Sequence, residues 1–77
     1  MDKENLVTMA NQIGSFYETM PDRAKALTDI AEHIKKFWDP RMRRELLAYV
    51  DAPDQHAWQL IPVVSESIRL NRALLLP

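Results

Sequence analysis

The chain has 77 residues with ten Lys and Arg, eleven Asp and Glu, one glycine, five prolines and no cysteine. This length corresponds to one domain, 1–77, whose core supplies roughly 3–5 kcal/mol of net stability at most. The lack of cysteine excludes disulfides, thiolate metal sites, iron–sulfur ligation and thiol nucleophiles in this chain. The charge balance gives no general field for nucleic acid, and no apolar run approaches the roughly 20 residues that span a bilayer. Since the N-terminus also lacks a secretory signal, we expect a cytoplasmic protein without a membrane partner.

Apolar residues at steps of three and four predict a first helix over about residues 3–19. Its apolar face consists of Leu6, Met9, Ala10, Ile13, Phe16 and Tyr17. Gly14 lies inside this helix, where glycine costs about 1 kcal/mol relative to alanine. We interpret Gly14 as the site of a close helix–helix approach, and a kink or break there is the alternative.

A second helix is predicted over about 21–38 and a third over about 40–50. The apolar face of the second helix consists of Ala24, Leu27, Ile30, Ala31, Ile34, Phe37 and Trp38. Between the two helices, Asp39 is expected to cap the third helix and Pro40 to occupy its first position. On the third helix, Arg41 and Arg44 are predicted to face away from the apolar side, with Arg43 on its flank.

The C-terminal stretch predicts a fourth helix over about 60–74, following a turn. Its apolar positions cover roughly half of the circumference, which is wider than the stripe of about 100° usual for a surface helix. This surplus marks Leu70 and Leu74 as candidates for contact with a partner. The predicted fold class is all-α, a small three- to four-helix bundle.

Residues suited to catalysis or metal binding are few. His33 and His56 are the only histidines, and neither lies in the ligand spacing of a known metal motif. We interpret His33 as a packed, hydrogen-bonded residue at the border of the apolar face. The single glycine excludes a glycine-rich phosphate loop. We expect no catalytic, cofactor-binding or metal site in this chain.

Arginine and tryptophan supply the remaining interface candidates. The run from Arg41 to Arg44 can bind an acidic patch on another protein, because guanidinium groups pair with carboxylates in a bidentate way. A solvated face paired with Asp39 and Glu45 is the alternative. Trp38 follows Phe37 at a helix end, which favours the core over an interface. The candidate interface residues are Trp38, Arg41, Arg43, Arg44, Trp58, Leu70 and Leu74.

Two stretches resemble a known family. The first is Met-Ala-Asn-Gln-Ile-Gly at 9–14 with Phe16, and the second is His-Ile-Lys-Lys-Phe-Trp-Asp-Pro-Arg-Met-Arg-Arg at 33–44. Together they resemble the delta subunit of the bacterial NAD-dependent, molybdenum-containing formate dehydrogenases over about residues 6–50. The residues that carry the resemblance are Asn11, Gln12, Gly14, Phe16, His33, Phe37, Trp38, Asp39, Pro40, Arg41 and Met42.

The resemblance implies a non-catalytic accessory subunit or assembly factor that binds the catalytic, molybdenum subunit of formate dehydrogenase. It also implies that the partner complex carries molybdopterin, iron–sulfur clusters, FMN and NAD, while this chain carries no cofactor. Two alternatives from other classes stay open. One is a small regulator that binds nucleic acid through the third helix, and the other is a bundle that self-associates as a homodimer through the last helix.

Overall fold

The computed structural model describes residues 3–52 and 59–76. In these ranges the chain forms five helices and no strand: α1 (Lys3–Glu18), α2 (Arg23–Phe37), α3 (Pro40–Asp51), α4 (Pro62–Leu70) and α5 (Arg72–Leu75). The predicted all-α fold class is thereby confirmed. No helix in the described ranges combines the length and the apolar character needed to cross a bilayer.

Local capping residues set where α2 and α3 begin. The Asp22 carboxylate accepts a hydrogen bond from the Lys25 amide at 3.1 Å, and the Asp39 carboxylate accepts one from the Met42 amide at 2.9 Å. Each bond satisfies an amide that has no partner inside its own helix. Pro40 occupies the first turn of α3, where its missing N–H costs nothing. The sequence-based prediction for this boundary is confirmed.

Helix α2 packs against α1, α4 and α5, and α1 also packs against α3 and α4. The core lies between these helices, and its fully buried large side chains are Leu6, Ile30, Ile34, Leu46, Val63, Val64, Ile68 and Leu75. A buried polar bond crosses the same interior, since the Ser67 hydroxyl of α4 donates to the Leu27 carbonyl of α2. α4 is therefore the element that closes the bundle over α1 and α2.

Gly14 lies where α1 packs closely against Ile61 and the start of α4. A Cβ atom at position 14 would lie 3.0 Å from Ile61 Cδ1 and 3.2 Å from Val63 Cγ1, and still closer to Val64 Cγ2. Carbon atoms in ordinary contact are about 3.5–4.0 Å apart, so only glycine fits here without displacement. Because α1 continues through this position unbroken, the close-approach interpretation is confirmed and the kink is wrong.

Asn11 joins the same two elements by hydrogen bonds. Its Nδ2 donates to the Gln59 carbonyl at 3.0 Å, and its Oδ1 accepts from the Ile61 amide at 2.9 Å. Ile61 immediately precedes α4, whose N-terminus has no side-chain cap of its own. Asn11 therefore fixes the start of α4 against α1 from a position 50 residues away in the sequence.

The prediction of one fourth helix over about 60–74 is wrong, because α4 and α5 are separate. Asn71 leaves the helical conformation, with φ −115° and ψ 26°. Its side-chain Nδ2 donates to the Ser67 carbonyl at 3.0 Å, and the Asn71 carbonyl accepts from Leu74 at 3.0 Å to start α5. Asparagine commonly interrupts helices in this way, since its amide competes with the backbone for hydrogen bonds.

Candidate functional site

A groove of about 410 Å³ lies between α1, α2 and the start of α3. We call it the α1–α2 groove, and its lining residues are Met9, Gln12, Ile13, His33, Phe37, Trp38 and Met42. The lining is mostly apolar, with one amide and one imidazole. The groove therefore offers apolar contact area at the surface of the protein.

The groove exists because the apolar stripe of α1 is wider than the helices that cover it. α4 seals the side that carries Ala10 and Gly14. Met9 and Ile13 lie on the other side and are only half-buried. On α2, the His33 ring packs against the Phe37 ring at a centroid distance of 4.8 Å. The two helices thus form the long walls of an open trough.

The aromatic residues of this surface are more exposed than their helical positions predict. Phe37 is 66% exposed and Phe16 is 75% exposed, so their assignment to the buried apolar faces of their helices is wrong. The physical reason is that no described element packs over the outer edge of either stripe. Phe16 contacts the Tyr17 ring edge-on at 5.0 Å.

A second, shallower depression of about 190 Å³ continues from the groove along α2. Its lining residues are Tyr17, Asp29, Glu32, His33, Lys36 and Phe37. His33 and Phe37 border both depressions, so the surface is continuous. This depression carries both signs of charge, since Glu32 and Lys36 both line it and Asp29 pairs with Lys25 at 3.2 Å.

Two exposed cations lie near Phe37 in space or in sequence. Lys36 Nζ lies 5.6 Å from the centre of the Phe37 ring, within range of a cation–π contact. The Arg41 side chain is 80% exposed, and its Nε lies 3.6 Å from Glu45 Oε1. Such exposed pairs contribute only a few tenths of a kcal/mol, so the guanidinium can pair with another carboxylate at little cost. Arg44 is exposed as well.

Arg43 is not on the flank of α3 as predicted, since only 6% of it is exposed. Leu47, one turn further along, is also buried, which shows that the inner face of α3 extends to the side that carries Arg43. The Nε and Nη1 atoms of Arg43 have no hydrogen-bond partner within the described residues. Burial of a donor without a partner costs free energy, so we expect removal of these two donors to stabilise the protein.

The other sequence-predicted candidates lie apart from the groove or inside the protein. Trp38 is buried at the end of α2 and forms part of the groove wall, in agreement with the core interpretation. Leu70 and Leu74 are exposed and form, with Leu76, a C-terminal leucine patch. Trp58 and His56 lie outside the described residues.

An ion pair lies at the surface between the end of α3 and α5. The Arg72 guanidinium donates to both carboxylate oxygens of Asp51, with Nη1 at 2.9 Å from Oδ1. These hydrogen bonds, followed by the charge of the arginine, lower the pKa of Asp51, and they raise the pKa of Arg72 in return. The pair ties α5 to α3 and stands apart from the α1–α2 groove.

The described residues offer no arrangement suited to metal chemistry. They contain no group of three or more His, Asp or Glu side chains placed to hold an ion. The His33 ring packs against the Phe37 ring, in agreement with the packed part of its interpretation, and its hydrogen bonding stays a prediction. The surface is suited to apolar contact with another macromolecule.

The two motif stretches of the sequence meet at the groove. Gln12 comes from the first stretch, and His33, Phe37, Trp38 and Met42 come from the second. Sequence reasoning placed Met9 and Ile13 on the helical face and did not select them as site residues. The available signal was the width of the α1 stripe, which exceeds what one neighbouring helix can cover.

Comparison with known proteins gives one family and one curated relative. The family model described as NADH-dependent formate dehydrogenase delta subunit FdsD matches residues 5–68. A glutamate–tRNA ligase of Solibacter usitatus (strain Ellin6076) is 36% identical over 66 residues, an alignment that covers 86% of this chain and 14% of the ligase. The chain thus spans a small part of that relative's length. No solved structure matches the chain.

Proposed function

Because this chain belongs to the NADH-dependent formate dehydrogenase delta subunit family, we propose that it is a non-catalytic accessory subunit or assembly factor that binds the molybdenum-containing catalytic subunit. It acts in the cytoplasm, beside the redox chemistry of the complex. The observation that carries the proposal is the family match, which extends from residue 5 to residue 68 and includes every residue that lines the groove.

The residue types of the chain support a role without bound cofactors. Iron–sulfur clusters need thiolate ligands, and the chain has no cysteine. Nucleotide phosphates are commonly held by glycine-rich loops, and the chain has a single glycine, which is packed against α4. In this proposal the other subunits of the complex hold the molybdopterin, the iron–sulfur clusters, the FMN and the NAD.

The surface supports a binding role. Exposed apolar contact area with two large aromatic rings at its edge is typical of protein interfaces. The basic residues around Phe37 add a charged rim. These features suit a permanent subunit and a transient assembly factor equally. The proteins that co-purify with the chain distinguish between these two roles.

The test is purification of the tagged chain from its native cells grown on formate, followed by mass spectrometry of the co-purifying proteins. A permanent subunit brings the catalytic and electron-transfer subunits in a fixed ratio and in cofactor-loaded form. An assembly factor brings the catalytic subunit alone, before its cofactor is inserted. Absence of the catalytic subunit from both loaded and immature fractions would contradict the proposal.

A second candidate function is contact with RNA, and one observation favours it. The curated relative is named a glutamate–tRNA ligase. Binding through Arg41, Arg44 and the lysines of α2 would weaken steeply as salt rises, because phosphate contacts release counterions. Measurement of the affinity for purified tRNA across a salt series tests it, and lack of binding at low salt would remove this candidate.

A further inference from the structure

We propose that the α1–α2 groove receives an amphipathic helix of the catalytic subunit, with the acidic residues of that helix lying toward Lys36 and Arg41. The inference rests on the proposed function and deepens it, since it names the docking surface and the chemistry of the segment that fills it. Four properties of the described residues lead to it.

The first property is the position of the groove within the family. The exposed large apolar side chains of the described residues are Phe16, Phe37, Leu70, Leu74 and Leu76. A further depression of about 520 Å³ lies beside the Asp51–Arg72 ion pair, and its lining includes Arg69 and Arg72. All groove residues lie within the 5–68 range that the family shares, whereas Leu70, Leu74 and Leu76 lie beyond it. A surface for a function common to the family belongs in the shared range. This favours the groove over the leucine patch and over the depression that includes Arg69 and Arg72.

The second property is the apolar lining. Phe37 presents most of its ring to solvent at the rim, and aromatic residues in this position are typical anchors of binding energy. Met9 and Met42, two of the four methionines of the chain, line the groove. Methionine adapts its flexible side chain to the shape of an incoming partner. Trp38, which is buried, gives the groove one rigid wall.

The third property is shape, which selects a helix as the occupant. The described residues form no strand, so they present no sheet edge to which an extended peptide could add. Two packed helices instead leave a trough suited to a third. The eight helical steps from Asp29 to Phe37 rise about 12 Å along α2. The trough therefore accepts about two turns of helix, with apolar residues at positions i, i+3 or i+4, and i+7.

The fourth property is charge, which sets the pattern and direction of the occupant. The Phe37 end carries the exposed cations Lys36 and Arg41. Further along α2, the carboxylate of Glu32 borders the surface beside that of Asp29, which pairs with Lys25 at 3.2 Å. A helix with acidic residues at one end matches this gradient when those residues lie beside Phe37. The reverse orientation would place carboxylates against Asp29 and Glu32, which like-charge repulsion disfavours.

The primary test measures binding of the purified catalytic subunit to the chain and to two matched variants. Phe37→Glu places a charge at the rim of the groove, and Leu70→Glu makes the same kind of change in the leucine patch. Both side chains are more than half exposed, so both variants should fold, which far-UV circular dichroism verifies. We expect Phe37→Glu to weaken binding at least tenfold and Leu70→Glu to leave the affinity unchanged.

The outcomes separate the inference from the proposed function. If the unaltered chain binds and Phe37→Glu binds equally well, the groove is not the docking surface and the inference is overturned while the proposed function stands. Loss of binding in Leu70→Glu alone would move the site to the leucine patch, with the same consequence. If the unaltered chain does not bind the catalytic subunit, the proposed function and this inference both fall.

A second measurement tests the occupant. A benzophenone amino acid replaces Phe37, and irradiation of the purified complex is followed by mass spectrometry of the cross-linked peptide. The expected peptide is an acidic amphipathic segment of the catalytic subunit. A cross-link to a second copy of this chain, or to a segment without acidic residues, would overturn the inference. In addition, the double variant Lys36→Glu with Arg41→Glu should slow association and remove most of its salt dependence.

Discussion

The two sides of helix α1 differ in what packs against them. The side with Gly14 is in close contact with Val63 and Val64 of α4, and Asn11 on the same helix donates to Gln59 and accepts from Ile61 just before α4. The side with Met9 and Ile13 opens onto the groove and stays half-buried. Both sides are apolar in sequence, so hydrophobicity alone does not decide which of them becomes the core.

The difference lies in residue size and in specific polar contacts. A small residue lets a neighbouring helix come close, and a well-placed amide fixes the neighbour's position. The open side has large flexible residues instead, which leave space between the helices. A closed side specifies one intramolecular partner, whereas an open side is available for another molecule.

Substitution of Gly14, on the closed side of α1, should have the largest effect on the stability of the protein. Gly14→Val places a branched side chain against Val64, Ile61 and Val63, so we expect a loss of about 2–3 kcal/mol in the free energy of unfolding. Urea denaturation measures it. The matched control is Ser15→Val, one position further on the exposed surface, where the change should stay within about 0.5 kcal/mol. Equal stability of the two variants would contradict the close packing of α1 and α4.

Removal of the Asn11 side-chain amide should have the next largest effect on the stability of the protein. Asn11→Ala leaves the Ile61 amide and the Gln59 carbonyl without their side-chain partner, and the expected loss in the free energy of unfolding is about 1–2 kcal/mol. Hydrogen exchange at the Ile61 amide should also accelerate. Asn5→Ala, an exposed change in the same helix, serves as the control. Unchanged protection of the Ile61 amide would show that the start of α4 is held by other contacts.

At Arg43, removal of a polar group is expected to stabilise the protein, which is the opposite of the effect at Asn11. Arg43 is buried, and its Nε and Nη1 atoms have no hydrogen-bond partner within the described residues. Arg43→Met retains most of the side-chain volume and removes the unpaired donors, so we expect a gain of about 1 kcal/mol in the free energy of unfolding. Thermal and urea unfolding of Arg43→Met and of the exposed control Arg44→Met measure the difference. Destabilisation specific to Arg43→Met would show that the guanidinium is paired in solution.

The smallest effect on stability is expected on the open side of α1. Phe16 is three-quarters exposed, so Phe16→Ala should change the free energy of unfolding by less than about 0.5 kcal/mol. The substitution removes more atoms than Gly14→Val adds, and it still costs less. A loss above about 1 kcal/mol in the same urea assay would mean that the phenylalanine ring is covered in solution and that the side is not open.

The sequence was sufficient for the features that depend on neighbours along the chain. The all-α class follows from the three- and four-residue spacing of apolar positions. Asp39 and Pro40 mark the start of α3 because their preferences act within one turn of helix. The interpretation of Gly14 also succeeded, since glycine inside an amphipathic helix needs a packing reason.

The features that depend on distant parts of the chain could not be predicted in the same way. The burial of Arg43 and the exposure of Phe16 and Phe37 follow from which helix covers which stripe, and a single helix does not contain that information. The two hydrogen bonds of Asn11 were not predicted, because their partners lie 48 and 50 residues away in the sequence. Only the break at Asn71 had a local signal, the competition of its amide with the backbone.

The hydrogen bonds of Asn11 also determine how late in synthesis α1 can complete its contacts. They cannot form until residue 61 has been added to the nascent chain. At about 5–20 residues per second, the 50 residues from Asn11 to Ile61 take about 2.5–10 s to synthesise. During this interval the surface of α1 around Gly14 lacks the cover of α4. Burial separates that surface from the groove only when α4 has folded onto α1.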